Sequence, residues 1–231
     1  MYEQVLIASL DLGDVKMARS CLDELIKQFP SSIRVKRARG MLLELLGKYG
    51  EALTIYNEVL ESSPTNVLVL KRKACVCKAS GDLRSTVDAL NSLLEINAGD
   101  VPAWIELGET YVSMCDCEAA AFCFEEIILL QPHCAHFHTK LAEIYYTTGH
   151  LKNFLQARSH FAMSLNIQTV ESGNTRALLG LIIVCRKLEQ LLEDRKGKEF
   201  ALNRELLSWS SDKLRGISST SKHQVLVTYG P

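Results

Sequence analysis

Apolar residues recur at steps of three and four along most of this chain, which is the spacing of an amphipathic helix. The pattern is clearest in the stretch from 104 to 132, which predicts two helices joined by a short turn. Large residues there would form apolar faces, small ones would let the helices approach, and a proline would end the second helix. The predicted structural core of the repeat consists of Trp104, Leu107, Gly108, Tyr111, Ala120, Phe124 and Pro132.

The same hairpin recurs along the chain with a period of about 34 residues, the period of the tetratricopeptide repeat. A single hairpin cannot bury its apolar faces alone, so repeats stack on one another. The sequence therefore predicts an all-α fold, a right-handed superhelical solenoid of five to six tetratricopeptide helix hairpins. The tight turns inside the hairpins are predicted at Gly13, Gly47, Gly81, Cys115 and Gly149.

The predicted repeat array covers residues 1–192. Its units lie near 1–30, 31–64, 65–98, 99–132, 133–170 and 174–192. The first unit lacks the opening residues of the repeat, so we expect it to be shortened at its N-terminus. In the fifth unit Ala157 and Phe161 arrive three residues late, which predicts an insertion in the turn His150–Phe154. A closing helix is predicted at 198–215, and a disordered tail at 216–231.

Composition narrows the class of protein. The 231 residues include 26 basic and 27 acidic side chains, and this balance argues against a general nucleic-acid binder. The longest strongly apolar run, near Ala177 to Cys185, is far shorter than the roughly 20 residues that a membrane span needs. No targeting segment is visible. Eight cysteines without a signal peptide suggest free thiols in a reducing compartment.

The sequence offers little catalytic chemistry. Cys115-x-Cys117, with Cys123 and Cys134 nearby, raises the alternative of a zinc site, but structural zinc pairs have wider spacing and lie on turns. These cysteines, like Cys75-x-Cys77, are interpreted as small buried apolar residues. No nucleophile elbow, phosphate-binding loop or zinc-protease motif occurs. We therefore expect no enzyme activity, no cofactor and no metal.

The first helices of stacked hairpins line a concave face, so their outward positions are candidates for partner binding. The early part of this face is basic, because RVKRAR occupies 34–39 and KRK occupies 71–73; past residue 100 it becomes mixed or acidic. One hypothesis is that the basic end binds an acidic or C-terminal peptide. The alternative is a solvated charged face without a partner. The predicted groove residues are Arg34, Arg37, Met41, Lys71, Arg72, Lys78, Glu109 and Glu143.

The alternative function is that of a co-chaperone or adaptor binding the C-terminal peptides of heat-shock chaperones. Such a clamp uses Lys and Asn at fixed places on three successive first helices. Here Ile7 and Ala38 occupy the places that require Asn, and only Lys71 and Arg72 are similar to the third element. The sequence therefore matches the chaperone-binding clamp only in its third element, which argues against this alternative.

Particular phrases of the chain resemble one family, subunit 2 of the endoplasmic reticulum membrane protein complex. These phrases cover about residues 2–185. They are YEQV and ASLD within 2–11, the LxxQFP pattern near 25–30, RVKR with GM at 34–41, SPTN at 63–66, KRK at 71–73, AAFCFEE at 120–126 and NTRALLGL at 174–181. Family members carry further helices before the point that matches Tyr2, in line with the shortened first repeat.

The resemblance implies a non-catalytic scaffold within an insertase that places proteins into the endoplasmic reticulum membrane. It implies a peripheral position on the cytoplasmic face of that membrane, without a membrane span. Its implied partners are a soluble subunit and the cytosolic tails of membrane subunits, which the groove would hold. The resemblance implies no catalytic residues, and no nucleic acid is expected as a partner.

Overall fold

The computed structural model describes residues 1–192 and 197–228. Within these ranges the chain forms twelve α-helices and one 3₁₀ turn at Val170–Ser172, and no strand. The predicted all-α class is therefore confirmed. The helices are α1 (Tyr2–Asp11), α2 (Val15–Gln28), α3 (Ile33–Leu45), α4 (Tyr49–Ser62), α5 (Val67–Ala79), α6 (Leu83–Ile96), α7 (Val101–Ser113), α8 (Cys117–Leu130), α9 (Ala135–Thr148), α10 (Leu151–Ile167), α11 (Thr175–Leu192) and α12 (Lys198–Thr228).

The turns inside the first five hairpins lie where the sequence predicts them. All five residues of the predicted series have left-handed backbone, with φ of 73°, 71°, 81° and 79° at the glycines and 59° at Cys115. This conformation closes a tight helix-to-helix turn and favours glycine because it has no Cβ. In three of the hairpins the next residue, an aspartate, caps the following helix. Its carboxylate accepts a hydrogen bond at 3.1 Å from the amide three residues on, at Asp14, Asp82 and Asp116.

Small and aromatic residues fit together within a hairpin and between successive hairpins. The Tyr56 side chain is fully buried, and its ring lies so close to Gly40 that a Cβ there would come within 2.4 Å of a ring carbon. Phe161 stands in the same relation to Gly180. The small positions that the repeat pattern requires therefore let aromatic rings pack against helix backbone.

The helices form two compact units that divide between Thr110 and Tyr111. The first unit contains α1–α6 and most of α7; within it α2 packs on α3, and α4 packs on α5. The second unit contains α8–α12; within it α9 packs on α8 and α10, and α11 packs on α10 and α12. In the described part of the chain, no helix combines the length and the apolar character that a bilayer crossing requires.

The structure differs from the sequence prediction in the fifth hairpin. The predicted insertion in the turn His150–Phe154 is wrong, because α10 begins at Leu151, directly after the Gly149–His150 turn. The three additional residues instead lengthen the helix, which has 17 residues where α8 has 14. Both Phe154 and Ala157 are buried, so the added turn of helix is part of the core.

The C-terminal boundary also differs. The closing helix begins at Lys198, as predicted, but it continues to Thr228, whereas the prediction ended it at 215 and expected disorder from 216. Residues 229–231 of the predicted tail lie outside the described residues, as do residues 193–196 of the charged turn before α12.

Candidate functional site

The odd-numbered helices of the first unit carry most of the predicted groove residues. Arg34, Arg37 and Met41 are three and four residues apart on α3, so they share one face of that helix. Lys71 and Lys78 are two turns apart on α5, with Arg72 beside the first. All six are exposed or half-buried. We call this surface of α1, α3, α5 and the start of α7 the docking face.

Ion pairs link these helices in succession along the docking face. Arg34 of α3 binds Glu3 of α1 at 2.7 Å. The next pair is Arg72 of α5 with Glu44 of α3, at 3.3 Å. Each of these two arginines therefore pairs with a carboxylate on the preceding first helix.

Two lysines of α5 are paired in the opposite direction along the chain. Lys71 contacts the carboxylate of Asp100 at 2.5 Å, just before α7 begins. Lys78 pairs with Glu106 of α7, and this hydrogen bond raises the pKa of the Lys78 ammonium. Four cations of the early basic face, Arg34, Lys71, Arg72 and Lys78, are therefore paired with neighbouring carboxylates.

The carboxylates in these pairs belong to the same surface, and the predicted site omitted them. Their signal was present in the sequence as opposite charges about one repeat apart. Glu44 and Arg72 are separated by 28 positions, as are Lys78 and Glu106. The separation of Glu3 from Arg34 is 31 positions. Such spacing places two side chains on facing sides of consecutive first helices.

Arg37 is the exception among the predicted cations. It is half-buried on α3, and its guanidinium forms no ion pair or hydrogen bond with the residues that the structure describes. It lies near the Tyr56 hydroxyl, which donates a hydrogen bond to Glu44. Burial, and secondarily this hydrogen bond, raise the pKa of Tyr56 well above its ordinary value, so the phenol remains neutral beside Arg37.

Two clefts open on the docking face. The first, which we call the α1–α5 cleft, has a volume of about 350 Å³ and is lined by Leu10, Met41, Glu44, Arg72 and Cys75 among others. The second, the α5–α7 cleft, has a volume of about 470 Å³. Its principal lining residues are Ala74, Lys78, Leu90, Leu93, Ala103 and Glu106. Predicted groove residues thus surround two concave surfaces.

The two acidic residues of the predicted groove lie further along. Glu109 is an exposed residue near the end of the α7 segment in the first unit. Glu143 is on α9 in the second unit, where its carboxylate binds Arg176 of α11 at 2.8 Å. The same kind of pairing between consecutive first helices therefore occurs in the second unit.

The structural residues of the fourth repeat have unequal burial. Leu107, Gly108, Ala120 and Phe124 are buried, as predicted, and Pro132 is exposed in the turn before α9. Trp104 and Tyr111 are only half-buried, so the prediction that Trp104 belongs to the buried core is wrong. The indole Nε1 of Trp104 donates a hydrogen bond to the Ala98 carbonyl at 2.8 Å, which fixes the loop before α7.

The cysteines divide between core and surface. Cys77 and Cys123 are buried, as interpreted from the sequence, whereas Cys75 and Cys115 are exposed. Among the side chains that the structure describes, no group of three or more His, Cys, Asp or Glu residues is arranged to hold a metal ion.

The repeat geometry and the phrases of the sequence agree with one protein family. Residues 10–166 match the family model described as the EMC2 TPR-like repeat domain. The chain belongs to the ER membrane protein complex subunit 2 family. It is 44% identical over 183 residues to the subunit 2 of Xenopus tropicalis, an alignment covering 79% of this chain and 61% of that protein.

Other relatives are more distant. The TPR repeat protein oca3 of Schizosaccharomyces pombe is 31% identical over 169 residues, covering 72% of this chain and 60% of that protein. The Dictyostelium discoideum subunit 2 is 32% identical over 168 residues, covering 72% and 52%. The chain thus spans about three fifths or less of the length of these relatives.

Solved structures agree with the repeat fold. A MamA variant aligns with a TM-score of 0.59 at 19% identity, covering 75% of this chain and 96% of that one. Pseudomonas aeruginosa PilF aligns with a TM-score of 0.59 at 17% identity, covering 94% and 90%. At such identities these likenesses concern the fold alone, and with the family match they confirm the predicted tetratricopeptide repeats.

Proposed function

We propose that this chain is a non-catalytic scaffold subunit of the endoplasmic reticulum membrane protein complex, and that the complex as a whole is a membrane-protein insertase. It would lie peripherally on the cytoplasmic face of that membrane. Its docking face would hold cytosolic segments of membrane-embedded subunits, and another surface would contact a soluble subunit. The observation that carries the proposal is membership of the subunit 2 family, whose relatives are named as subunits of that complex.

The docking face supports the scaffold role physically. Its ion pairs join consecutive first helices, so the face is stiffened before a partner arrives. A preorganised surface loses less conformational entropy on binding, which favours a stable assembly. Its two clefts provide concave sites, and Arg37 provides a cation for a partner carboxylate or carbonyl.

A charge reversal at Arg37 tests this proposal. We expect the Arg37→Glu chain, tagged and purified from cells in mild detergent, to recover about fivefold less of the membrane subunits than the wild type. Mass spectrometry of the co-purified proteins measures the recovery. The matched control is Arg39→Glu, the same charge change at an exposed position of the same helix, which should recover the wild-type amount.

Two outcomes would contradict the proposal. One is undiminished recovery of membrane subunits by the Arg37→Glu chain, which would mean that the docking face does not bind them. The other is recovery of heat-shock chaperones instead of membrane subunits, competed away by the chaperones' C-terminal peptides. In the first unit Lys71, which such a clamp would need, is already paired with Asp100.

A further inference from the structure

The α5–α7 cleft lies where the third repeat lacks an aromatic residue that its neighbours have. Tyr56 and Phe124 occupy equivalent positions in the second and fourth repeats, and both are buried. One period from each of them, the third repeat has Leu90, which lines the cleft. The neighbouring small position has changed as well, because Ala74 stands where Gly40 packs against the Tyr56 ring.

A second substitution enlarges the same cleft. At one position of the first helices, the chain has Val35, Val69 and Phe137, all buried. The equivalent residue of α7 is Ala103, which is buried against the cleft. At two positions of the repeat pattern, the residue on a wall of this cleft is thus smaller than its equivalents in the adjacent repeats. Close-packed proteins rarely leave such space unfilled.

The polar groups around the cleft are already partnered. Lys78 pairs with Glu106, and Lys71 pairs with Asp100. The Thr86 hydroxyl, on the cleft floor, donates to the Asp82 carbonyl at 2.7 Å. The Cys75 side chain is exposed in part, but desolvation by its surroundings raises the pKa of the thiol, so this group is neutral at physiological pH. An ionised occupant would therefore find no uncompensated charge here and would lose its hydration.

We infer that the α5–α7 cleft binds an aromatic side chain presented by an uncharged segment of a partner protein. The ring would occupy the space that Tyr56 and Phe124 fill in the adjacent repeats. This inference rests on the proposed scaffold function and specifies the chemistry of its partner. It replaces the acidic peptide that was one hypothesis from the sequence, because Lys71, Arg72 and Lys78 are paired. Aromatic anchors in pockets carry much of the binding energy of many interfaces.

The test measures binding of a small aromatic probe to the whole chain. N-acetyl-phenylalaninamide is titrated to millimolar concentrations against protein labelled at leucine and alanine methyl groups. We expect chemical-shift changes at Leu90, Leu93 and Ala103. The same compound with glutamate in place of phenylalanine should leave these signals unchanged.

Filling the cleft provides the matched variant. Ala103→Phe copies the residue found at Phe137, and we expect it to weaken the probe's binding by about tenfold or more. If that variant loses helical circular dichroism, Leu90→Phe fills the same space from the other wall. The control is Ala119→Phe, on α8 of the second unit, which should bind the probe as the wild type does.

Each result bears on the inference. Chemical-shift changes with the phenylalanine probe that disappear in the cleft-filling variants support the inference. Shifts with the glutamate probe alone, or no shifts with either, overturn it. Cleft signals that move on protein dilution without a probe would assign the cleft to a second copy of the chain, which also overturns it. If the probe binds but wild-type protein recovers no membrane subunits, the scaffold proposal fails while the aromatic site remains.

Discussion

At the scale of single residues, burial decides which members of the repeat pattern stabilise the fold. The pattern treats Trp104 and Phe124 alike, since both mark fixed positions. The two residues differ in burial in the structure, because Phe124 is only 2% exposed whereas Trp104 is half-buried. Their contributions to the free energy of unfolding must differ accordingly.

We predict that Phe124→Ala lowers the free energy of unfolding by about 3–5 kcal/mol, the usual cost of removing a buried aromatic ring. Trp104→Ala should cost less, about 1–2 kcal/mol, because it loses one hydrogen bond and partial burial. Denaturant unfolding of the two variants measures both values. Equal losses would contradict the difference in burial.

The turn residues offer a second test at this scale. Cys115 is the one non-glycine residue with left-handed φ among the described residues, and its side chain is exposed. Cys115→Gly should therefore relieve backbone strain and stabilise the protein by about 0.5–1 kcal/mol. The reverse change, Gly81→Ala, should destabilise by about 1 kcal/mol, because the φ of 81° strains any residue with a Cβ; no atom within 4 Å of the added Cβ adds a clash. Thermal melts measure both; a destabilised Cys115→Gly would refute the strain.

At the scale of elements, buried polar side chains join the helices of the second unit. Arg158 of α10 is buried and pairs with Glu199 of α12. Asn203, fully buried on α12, donates to the Cys185 carbonyl of α11 at 2.8 Å. These contacts attach the closing helix to both neighbours, which the apolar pattern of α12 did not indicate.

Arg158 also donates a hydrogen bond to the Asn203 Oδ1 atom at 3.4 Å. We predict that Arg158→Met destabilises the protein by about 1–3 kcal/mol, because it leaves Asn203 without this donor and Glu199 without its cation. The exposure of Glu199 limits the loss. Hydrogen exchange should accelerate at residues 198–217 more than in α9. The control, Arg215→Met, removes an exposed pair with Asp212 and should change little. Uniform acceleration throughout the second unit would argue against a local anchor.

A histidine pair joins α9 and α10. The Nδ1 atoms of His138 and His160 are 3.1 Å apart, and His138 Nε2 lies 3.1 Å from the Pro132 carbonyl. The Nε2–H of His138 therefore donates to Pro132, and its neutral Nδ1 accepts from His160 Nδ1–H. Burial, then the neighbouring His138, lower the pKa of His160, while Glu125 opposes them; Tyr145 stacks on the ring.

Because the pKa of His160 is lower in the folded state, the unfolded state binds its proton first as the pH falls. The stabilising contribution of neutral His160 is thus complete above the unfolded pKa of about 6.5 and is lost below it. We predict that denaturant stability of the wild type falls more steeply below pH 6.5 than that of His160→Phe, which keeps the stacking and cannot titrate. Parallel pH profiles would contradict this coupling.

At the scale of the whole molecule, the sequence determines the repeats far better than the surface chemistry. The hairpins were predictable because turn residues such as Gly47 and Gly81 recur at a fixed period and need one backbone conformation. The lengthening of α10 could not be predicted. The late position of Ala157 indicates that residues have been added, but not whether they extend a helix or a loop. The net charge of the docking face could not be predicted by counting its basic residues, because Arg72 and Lys78 pair with carboxylates of other helices only in the folded chain.

Site-specific photo-crosslinking tests the central claim, that the docking face binds cytosolic segments of membrane subunits. Cys75 lines both clefts, so a photoreactive amino acid is placed there, with Asp88, an exposed residue of α6, as the control position. In endoplasmic reticulum membranes we expect irradiation to join position 75, but not position 88, to cytosolic segments of membrane subunits. Equal adducts at both positions, or none at position 75, would contradict the claim.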